Sequence, residues 1–292
     1  MRTINQIISE TCNTRRARVE IARDNRMIAI YALNPELERI DSYMFKRRRD
    51  NILKVIQEGK GVETIANKEM KDLIAKRKDL MARRGIDERF DEIHPECPLC
   101  KDTGYVKKNS LRVVCSCMSR EIVEAYEEAG LSDYNSIVPK NFKPDYISSS
   151  ASRRSEVYKS IGKILNSISI GELHPIYVYS DGPQTGKTYL SVVAIKIAIT
   201  LGLSAAYTKC EDLININEDR LENYKNYNLL VIDDFISGAT RNWNIAGTLN
   251  SILETRNSRG LATIIVSNES VFEMVEKSDE RVAGKLSRAT KI

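Results

Sequence analysis

The chain has 292 residues, of which 42% are hydrophobic and 29% charged, a balance that supplies a sizeable core and excludes wholesale disorder. A formal net charge of +5 permits a nucleic-acid partner without requiring one. At roughly 150 residues per domain the length suits about two domains.

The opening MRTINQIISETCNTRRARVE lacks the apolar core and small-residue cleavage site of a secretory leader. The longest apolar run, YLSVVAIKIAITLGL, is interrupted by Lys196 and falls short of a membrane span. These features lead us to expect a cytoplasmic protein with no membrane partner.

Residues 1 to about 90 read as helices. Asn34 and Pro35 suit the cap and first position of one, with Leu37, Ile40 and Met44 along one face and Gly59 and Gly61 at its end. Met70, Leu73, Ile74 and Met81 mark another, closed by Gly85. Their apolar stripes predict an intramolecular core, with room for a surplus face that meets a partner. The basic run FKRRRD, residues 45–50, reads as a solvated helix face.

Four of the six cysteines fall between residues 97 and 117, as Cys97-x-x-Cys100 and Cys115-x-Cys117 around a short hairpin-like segment. Clustering of this kind in a chain without a leader favours a metal over disulfides. Paired thiolates at such spacing wrap one tetrahedral ion, so Zn2+ held by Cys97, Cys100, Cys115 and Cys117 is the expectation. His94 is the alternative to one of the last two cysteines. A closed four-ligand site leaves no open position, so the zinc is structural and not catalytic. Cys12 and Cys210 read as ordinary buried thiols.

Residues 118 to about 150 read as a connector ending in the low-complexity run SSSASRRS. The expected division is therefore a helical region over 1–90, a zinc-binding segment over 91–120, a linker over 121–150 and an α/β domain over 151–292. That last domain opens with a helix carrying Val157, Ile161, Ile164 and Leu165. Strand and helix signals then alternate, which predicts a mostly parallel sheet covered by helices.

The stretch YSDGPQTGKTYL nearly matches the phosphate-loop pattern G-x-x-x-x-G-K-[ST], with Asp181 at the first position in place of glycine. Gly182, Pro183, Gln184, Thr185 and Gly186 form the loop, Lys187 reaches the β/γ-phosphates of ATP, and the Thr188 hydroxyl suits Mg2+. Asp is among the residues that tolerate left-handed backbone, and Gly182 beside it adds freedom. Two further strands carry matching polar ends. NLLVIDD ends in Asp233, placed for magnesium, and Asp234, placed to polarise the attacking water; ATIIVSN ends in Asn268, placed to sense the γ-phosphate. All three sets belong at the C-terminal ends of strands, where open α/β sheets bind ligands. Beyond them, SVFE reads as a capping box, and a last helix from Ser278 sets Arg281, Lys285 and Arg288 on one face with Val282, Leu286 and Ala289 on another.

Through GPQTGKTYL, LLVIDD, RNSRGLATIIVSN and DERVAGKLSR, together with CPLCKDTGYV and VCSC, the chain resembles the DnaC/DnaI-type replicative helicase loaders, AAA+ ATPases of bacteria and their phages. The resemblance implies a fold class of α/β, a P-loop ATPase domain preceded by a helical module with a small zinc-binding segment. It implies that residues 1 to about 120 bind a DnaB-type helicase hexamer, that the ATPase domain self-associates and touches single-stranded DNA, and that the ring is delivered during replication initiation. By position, Asn268 becomes sensor 1, Arg281 an arginine finger, and Lys285 stands where relatives often have a second arginine. Asp181, the short Asp234 and the monodentate Lys285 depart from the pattern and point to slow, regulatory hydrolysis. The chain is also expected to stop at Ile292 before the last strand of such a domain. The rival readings are an IstB-like transposition ATPase acting on duplex DNA and a non-hydrolysing zinc adaptor with a degenerate ATPase domain.

Overall fold

The computed structural model describes residues 2–58, 68–137, 159, 162, 175–180 and 185–291. The helix expected around Val157, Ile161, Ile164 and Leu165 lies outside them, as do Asp181, Gly182, Pro183 and Gln184. The chain divides into two compact units, Cys12–Asp102, and Met1–Thr11 with Thr103–Ile292.

In the first unit, Asn34 and Pro35 act as the sequence suggests. Helix α1 (Ile4–Leu33) stops, the Asn34 carbonyl accepts from the Leu37 and Glu38 amides, and α2 (Pro35–Glu58) begins. Helix α3 (Lys68–Arg84) ends at Gly85, whose φ of 64° needs no Cβ to be accommodated. The apolar stripes converge on Leu37, Met81 and Phe90, with Met27, Ile30, Tyr31, Leu80 and Ile86 packed around them. Tyr31 meets Phe90 edge to face at 5.7 Å. Arg77 bridges Asp41 at 2.7 Å and Asp91 at 2.8 Å, tying α3 to α2 and to the segment after α3. The basic run of α2 is exposed, as expected of a solvated face.

The second unit is built on five parallel strands in the order β4-β5-β6-β3-β7, namely β4 (Ala205–Lys209), β5 (Leu229–Phe235), β6 (Ala262–Ser267), β3 (Ile176–Tyr179) and β7 (Thr290–Lys291). A separate antiparallel hairpin, β1 (Tyr105–Lys108) with β2 (Leu111–Val114), matches the short segment expected between the cysteine pairs. Strands β5 and β6 are buried along almost their whole length, the near-continuous apolar reading of a sheet covered on both faces. The expectation that the chain stops before a last strand is corrected here: Thr290 and Lys291 pair with Ile176 and Tyr177 as β7. Two residues leave too short a pattern to read from sequence, and only the pairing reveals the strand.

Helix α5 (Lys187–Thr200) corrects a second expectation. Helical spacing alone predicts one apolar face, through Leu190, Val193, Ala194, Ile197 and Leu201, yet Leu190 to Lys196, Ala198 and Ile199 are all buried, covering nearly every side. The cause is α4 (Ser119–Glu128), which packs on α5 from outside the sheet. Part of the segment read as connector is thus helical and seated on the helix that covers the five-stranded sheet. The remaining helices are α6 (Glu218–Asn226), α7 (Trp243–Arg259), α8 (Val271–Lys277) and α9 (Glu280–Leu286). Helix α7 makes the crossover between β5 and β6 and buries Ile245, Leu249, Ile252 and Leu253. Helix α8 starts at a full capping box between Ser270 and Glu273, and α9 buries Val282 and Leu286 as the sequence pattern requires.

Arg256 of α7 is fully buried, and among the described residues no carboxylate pairs with it. Its guanidinium donates to the Thr263 hydroxyl at 2.8 Å, to the Tyr224 and Tyr227 carbonyls at 2.7 and 2.8 Å, and to the Ala262 carbonyl. It therefore closes the chain ends around the starts of β5 and β6, at the edge of the sheet opposite the polar strand ends.

Candidate nucleotide site and metal centre

Strand β3 rises into the loop, and Gly186 turns the chain into α5 with φ of 89°, a left-handed geometry that favours glycine. The amides of the first turn of α5 have no earlier turn to donate to, so they face the loop and suit an anion. The Lys187 ammonium folds back onto Ser180 Oγ at 2.8 Å and Thr185 Oγ1 at 2.9 Å, spanning the two described ends of the loop. Those hydroxyls also bond each other.

Two strands away, Asp233 is buried. Its Oδ1 accepts from the Asp234 amide at 2.8 Å and its Oδ2 from the Tyr207 hydroxyl at 2.8 Å, so the carboxylate is fixed in orientation. Burial, helped by Tyr134 and Asp233, pushes the Tyr207 phenol far above its ordinary range and keeps it a donor. Asp234 adopts φ of 51° where the pairing of β5 with β6 shifts register between Ile232 and Phe235. This kink aims Asp234 outward, where its carboxylate lies 3.8 Å from the Lys209 ammonium. On the intervening strand, the Ser267 hydroxyl donates to the Phe235 carbonyl at 2.7 Å and accepts from the Glu269 amide at 3.0 Å. Asn268 is thereby held at the strand end between two anchored neighbours.

Thr185, Gly186, Lys187, Thr188, Asp233, Asp234 and Asn268 line one cavity of about 350 Å³, with Tyr189, Val266 and Ser267. That volume is within the range of small-molecule sites, about 300–1,000 Å³. Two carboxylates and one ammonium face it, so a polyphosphate entering alongside Asp233 and Asp234 needs a divalent cation to offset like charge. Oxygen donors from Thr188 and Asp233 fit magnesium, a hard cation. A larger open groove of about 1090 Å³, lined by Arg2, Arg120, Glu124, Glu128 and Arg220 among others, shares no residue with this set. Within it Arg2 is paired with Glu124 and, at 3.5 Å, with Glu128.

Two expected residues do not line the cavity. The Lys285 ammonium lies on Asn250 Oδ1 at 2.6 Å and Glu254 at 3.3 Å, both on α7. Arg281 is largely exposed and bonds its helix cap, Asp279, at 3.3 Å.

The sheet sets β6, leading to Asn268, between the loop-bearing β3 and the acid-bearing β5. The domain has the fold of an AAA+ P-loop ATPase. Among solved structures, this chain is similar to AMPPCP-bound DnaA from Aquifex aeolicus, with 19% identity, TM-score 0.45, and coverage of 53% of this chain and 50% of that one. It is similar to the DnaC helicase loader with 19% identity, TM-score 0.44, and coverage of 55% and 96%. It is similar to DnaI with 15% identity, TM-score 0.41, and coverage of 52% and 94%. The chain thus spans half the length of the DnaA structure it matches. No protein-family model matches the sequence, and no curated protein matches it.

The four clustered cysteines also come together: Cys97, Cys100, Cys115 and Cys117 place their sulfurs within 4.8 Å of one another. Zinc–sulfur bonds of about 2.3 Å set tetrahedral sulfurs nearly 4 Å apart, so the set fits one zinc ion. His94 is exposed and is not among the grouped ligands. Sequence reasoning missed the support of this knuckle. Buried Asp102 accepts from the Glu96 and Cys97 amides at 2.8 and 2.9 Å, and Lys101 and Asp102 are left-handed with φ of 50° and 57°. The K-D-T-G run directly after Cys100 carries that signal, since Asp tolerates the geometry and its side chain bonds nearby amides. No sequence signal marks Tyr207, which reads as an ordinary strand aromatic. Cys12 and Cys210 are buried thiols, as expected. No helix among the described residues is long and apolar enough to cross a membrane.

Proposed function

We propose that this chain is an ATP-binding, slowly hydrolysing factor that delivers a DnaB-type replicative helicase hexamer onto single-stranded DNA in the cytoplasm. What carries the nucleotide part is one observation: Lys187, Thr188, Asp233, Asp234 and Asn268, from three separate stretches of sequence, line a single cavity. Supporting the loader part is the joint presence of CPLCKDTGYV, VCSC and DERVAGKLSR with the loop, a combination more specific than the loop alone.

In this reading Gly182 to Gly186 and the first amides of α5 wrap the phosphates, and Lys187 leaves Ser180 and Thr185 to meet the β/γ oxygens. Thr188 and Asp233 hold magnesium, which when bound neutralises phosphate charge. Asp234 orients the water, Asn268 contacts the γ-phosphate, and Arg281 completes the site of a neighbouring copy. Lys285 must leave Asn250 and Glu254 to act on nucleotide, which together with the short Asp234 suits a switch better than a motor. Zinc on the four cysteines is structural. We assign helicase binding to residues 1–90 with the zinc segment 91–120, linkage to 121–150, and ATP binding with self-association to 151–292.

The test is co-elution of the full chain with a hexameric replicative helicase, with and without ATP. A complex strengthened by ATP and lost in Lys187→Ala is expected. Absence of any complex in a protein that binds ATP normally removes the loader role, and preference for duplex over single-stranded DNA then selects the transposition-type reading. An unchanged complex in a Lys187→Ala protein that still binds ATP selects the adaptor.

A further inference from the structure

The Asp233 carboxylate does not end at the nucleotide cavity. Its Oδ2 takes the single proton of the Tyr207 hydroxyl at 2.8 Å, so the 3.0 Å contact between Tyr207 and Tyr134 hydroxyls must have Tyr134 as donor. The result is a directed chain, Tyr134 to Tyr207 to Asp233, in which each bond polarises the next. The two rings also meet edge to face at 5.2 Å.

Tyr134 belongs to the segment that joins α4 to residues outside the description, and that segment is held by the ATPase core at several points. The Tyr207 amide donates to the Ala129 carbonyl at 2.7 Å, so the outer edge of β4 is covered at this residue. Gly130 has φ of 85°, and a Cβ there would lie 2.7 Å from the Tyr207 carbonyl oxygen, which shows how closely the turn is seated. The Lys196 ammonium, buried on α5, donates to the Tyr134 and Ile137 carbonyls at 2.8 and 2.5 Å. Lys196 lies on the same helix as Lys187 and Thr188. The segment is thus gripped by α5, whose first turn lines the nucleotide cavity, and by β4, the neighbour of the acid-bearing β5.

We propose that Tyr207 positions the Asp233 carboxylate and couples it to the docked segment Ala129–Ile137, so that magnesium nucleotide loosens that segment. The proposal rests on the nucleotide reading above. Asp233, once it also accepts from magnesium-bound water, shares its charge and becomes a weaker acceptor for Tyr207. Tyr207 then becomes a weaker acceptor for Tyr134, and the hold on the segment relaxes from the site outward.

Hydrogen exchange on the full chain tests this with ATPγS in magnesium, with ATPγS in EDTA, and without nucleotide. Amides of 129–137 are expected to exchange about fivefold faster with magnesium and ATPγS, the scale of one weakened hydrogen bond to a charged group, and to be unchanged in EDTA. Tyr134→Phe removes the donor at the docked end. It is expected to abolish that difference and, because coupling is reciprocal, to lower the magnesium midpoint for nucleotide binding by up to about the same fivefold. Tyr207→Phe is expected to raise that midpoint about fivefold and to leave magnesium-free nucleotide affinity unchanged, a split that a general loss of structure does not give. Unchanged or slower exchange in the unsubstituted protein overturns the coupling, as does a Tyr134→Phe protein that keeps the full difference. An unmoved midpoint in Tyr207→Phe overturns the positioning role. Failure to bind nucleotide at all overturns the nucleotide reading itself, and binding without altered exchange overturns the coupling alone.

Discussion

Lys187 has its amine committed to Ser180 and Thr185 before any phosphate arrives, so the loop ends are already drawn together. Lys187→Ala removes both that tie and the phosphate contact, and nucleotide affinity measured by fluorescence titration should fall at least tenfold, about 1.4 kcal/mol. Chemical reactivity offers a second check. Burial pushes the Cys210 thiol up to about 11, so it stays protonated at pH 8 and resists alkylation in the folded protein. Mass mapping after mild zinc removal should find Cys97, Cys100, Cys115 and Cys117 labelled and Cys210 untouched. At this scale the sequence made the cavity residues readable because their chemistry needs fixed types at fixed spacing. Tyr207 was not readable, since it acts by meeting Asp233, a partner that only the folded chain brings near.

Among the elements, α7 illustrates a role that periodicity hides. Ile245, Leu249, Ile252 and Leu253 follow the helical spacing, and Arg256 breaks the apolar pattern while being as buried as they are. Burial pulls its guanidinium down to about 9, yet it donates to three carbonyls and a hydroxyl. Arg256→Leu should therefore cost about 3–5 kcal/mol, read as a lowered urea midpoint, and Arg256→Lys should recover only part of it. Helix α8 shows the converse, a device plain in sequence: Ser270 and Glu273 form the expected capping box, and the Ser270 amide holds the Glu273 carboxyl below its ordinary value. A carboxyl so depressed contributes stability that is complete above about pH 4.5 and disappears as pH falls through its folded value. Glu273→Gln should flatten the acid limb of the stability curve and leave the neutral region nearly unchanged. The burial of α5 on nearly every side and the two-residue β7 escaped sequence reading for one reason: α4 and β3 supply the partners, and neither pairing is marked in the local pattern of α5 or β7.

For the whole molecule, the short hairpin between the cysteine pairs buries too little apolar surface to hold its shape unaided, so zinc should contribute directly to its folding. Cys100→Ser should lose one equivalent of zinc by elemental analysis and abolish helicase co-elution while ATP affinity stays within about twofold, because the nucleotide cavity uses none of the four thiols. The left-handed backbone of Asp234 bears on how an assembled state is to be captured. Alanine at that position tolerates the left-handed φ less well than aspartate and removes a charge in one stroke, so an arrested complex made with it reports two changes at once. Asparagine accepts the same backbone and removes the charge alone. The Asp234→Asn protein is accordingly the cleaner reagent for freezing the ATP-loaded assembly for imaging.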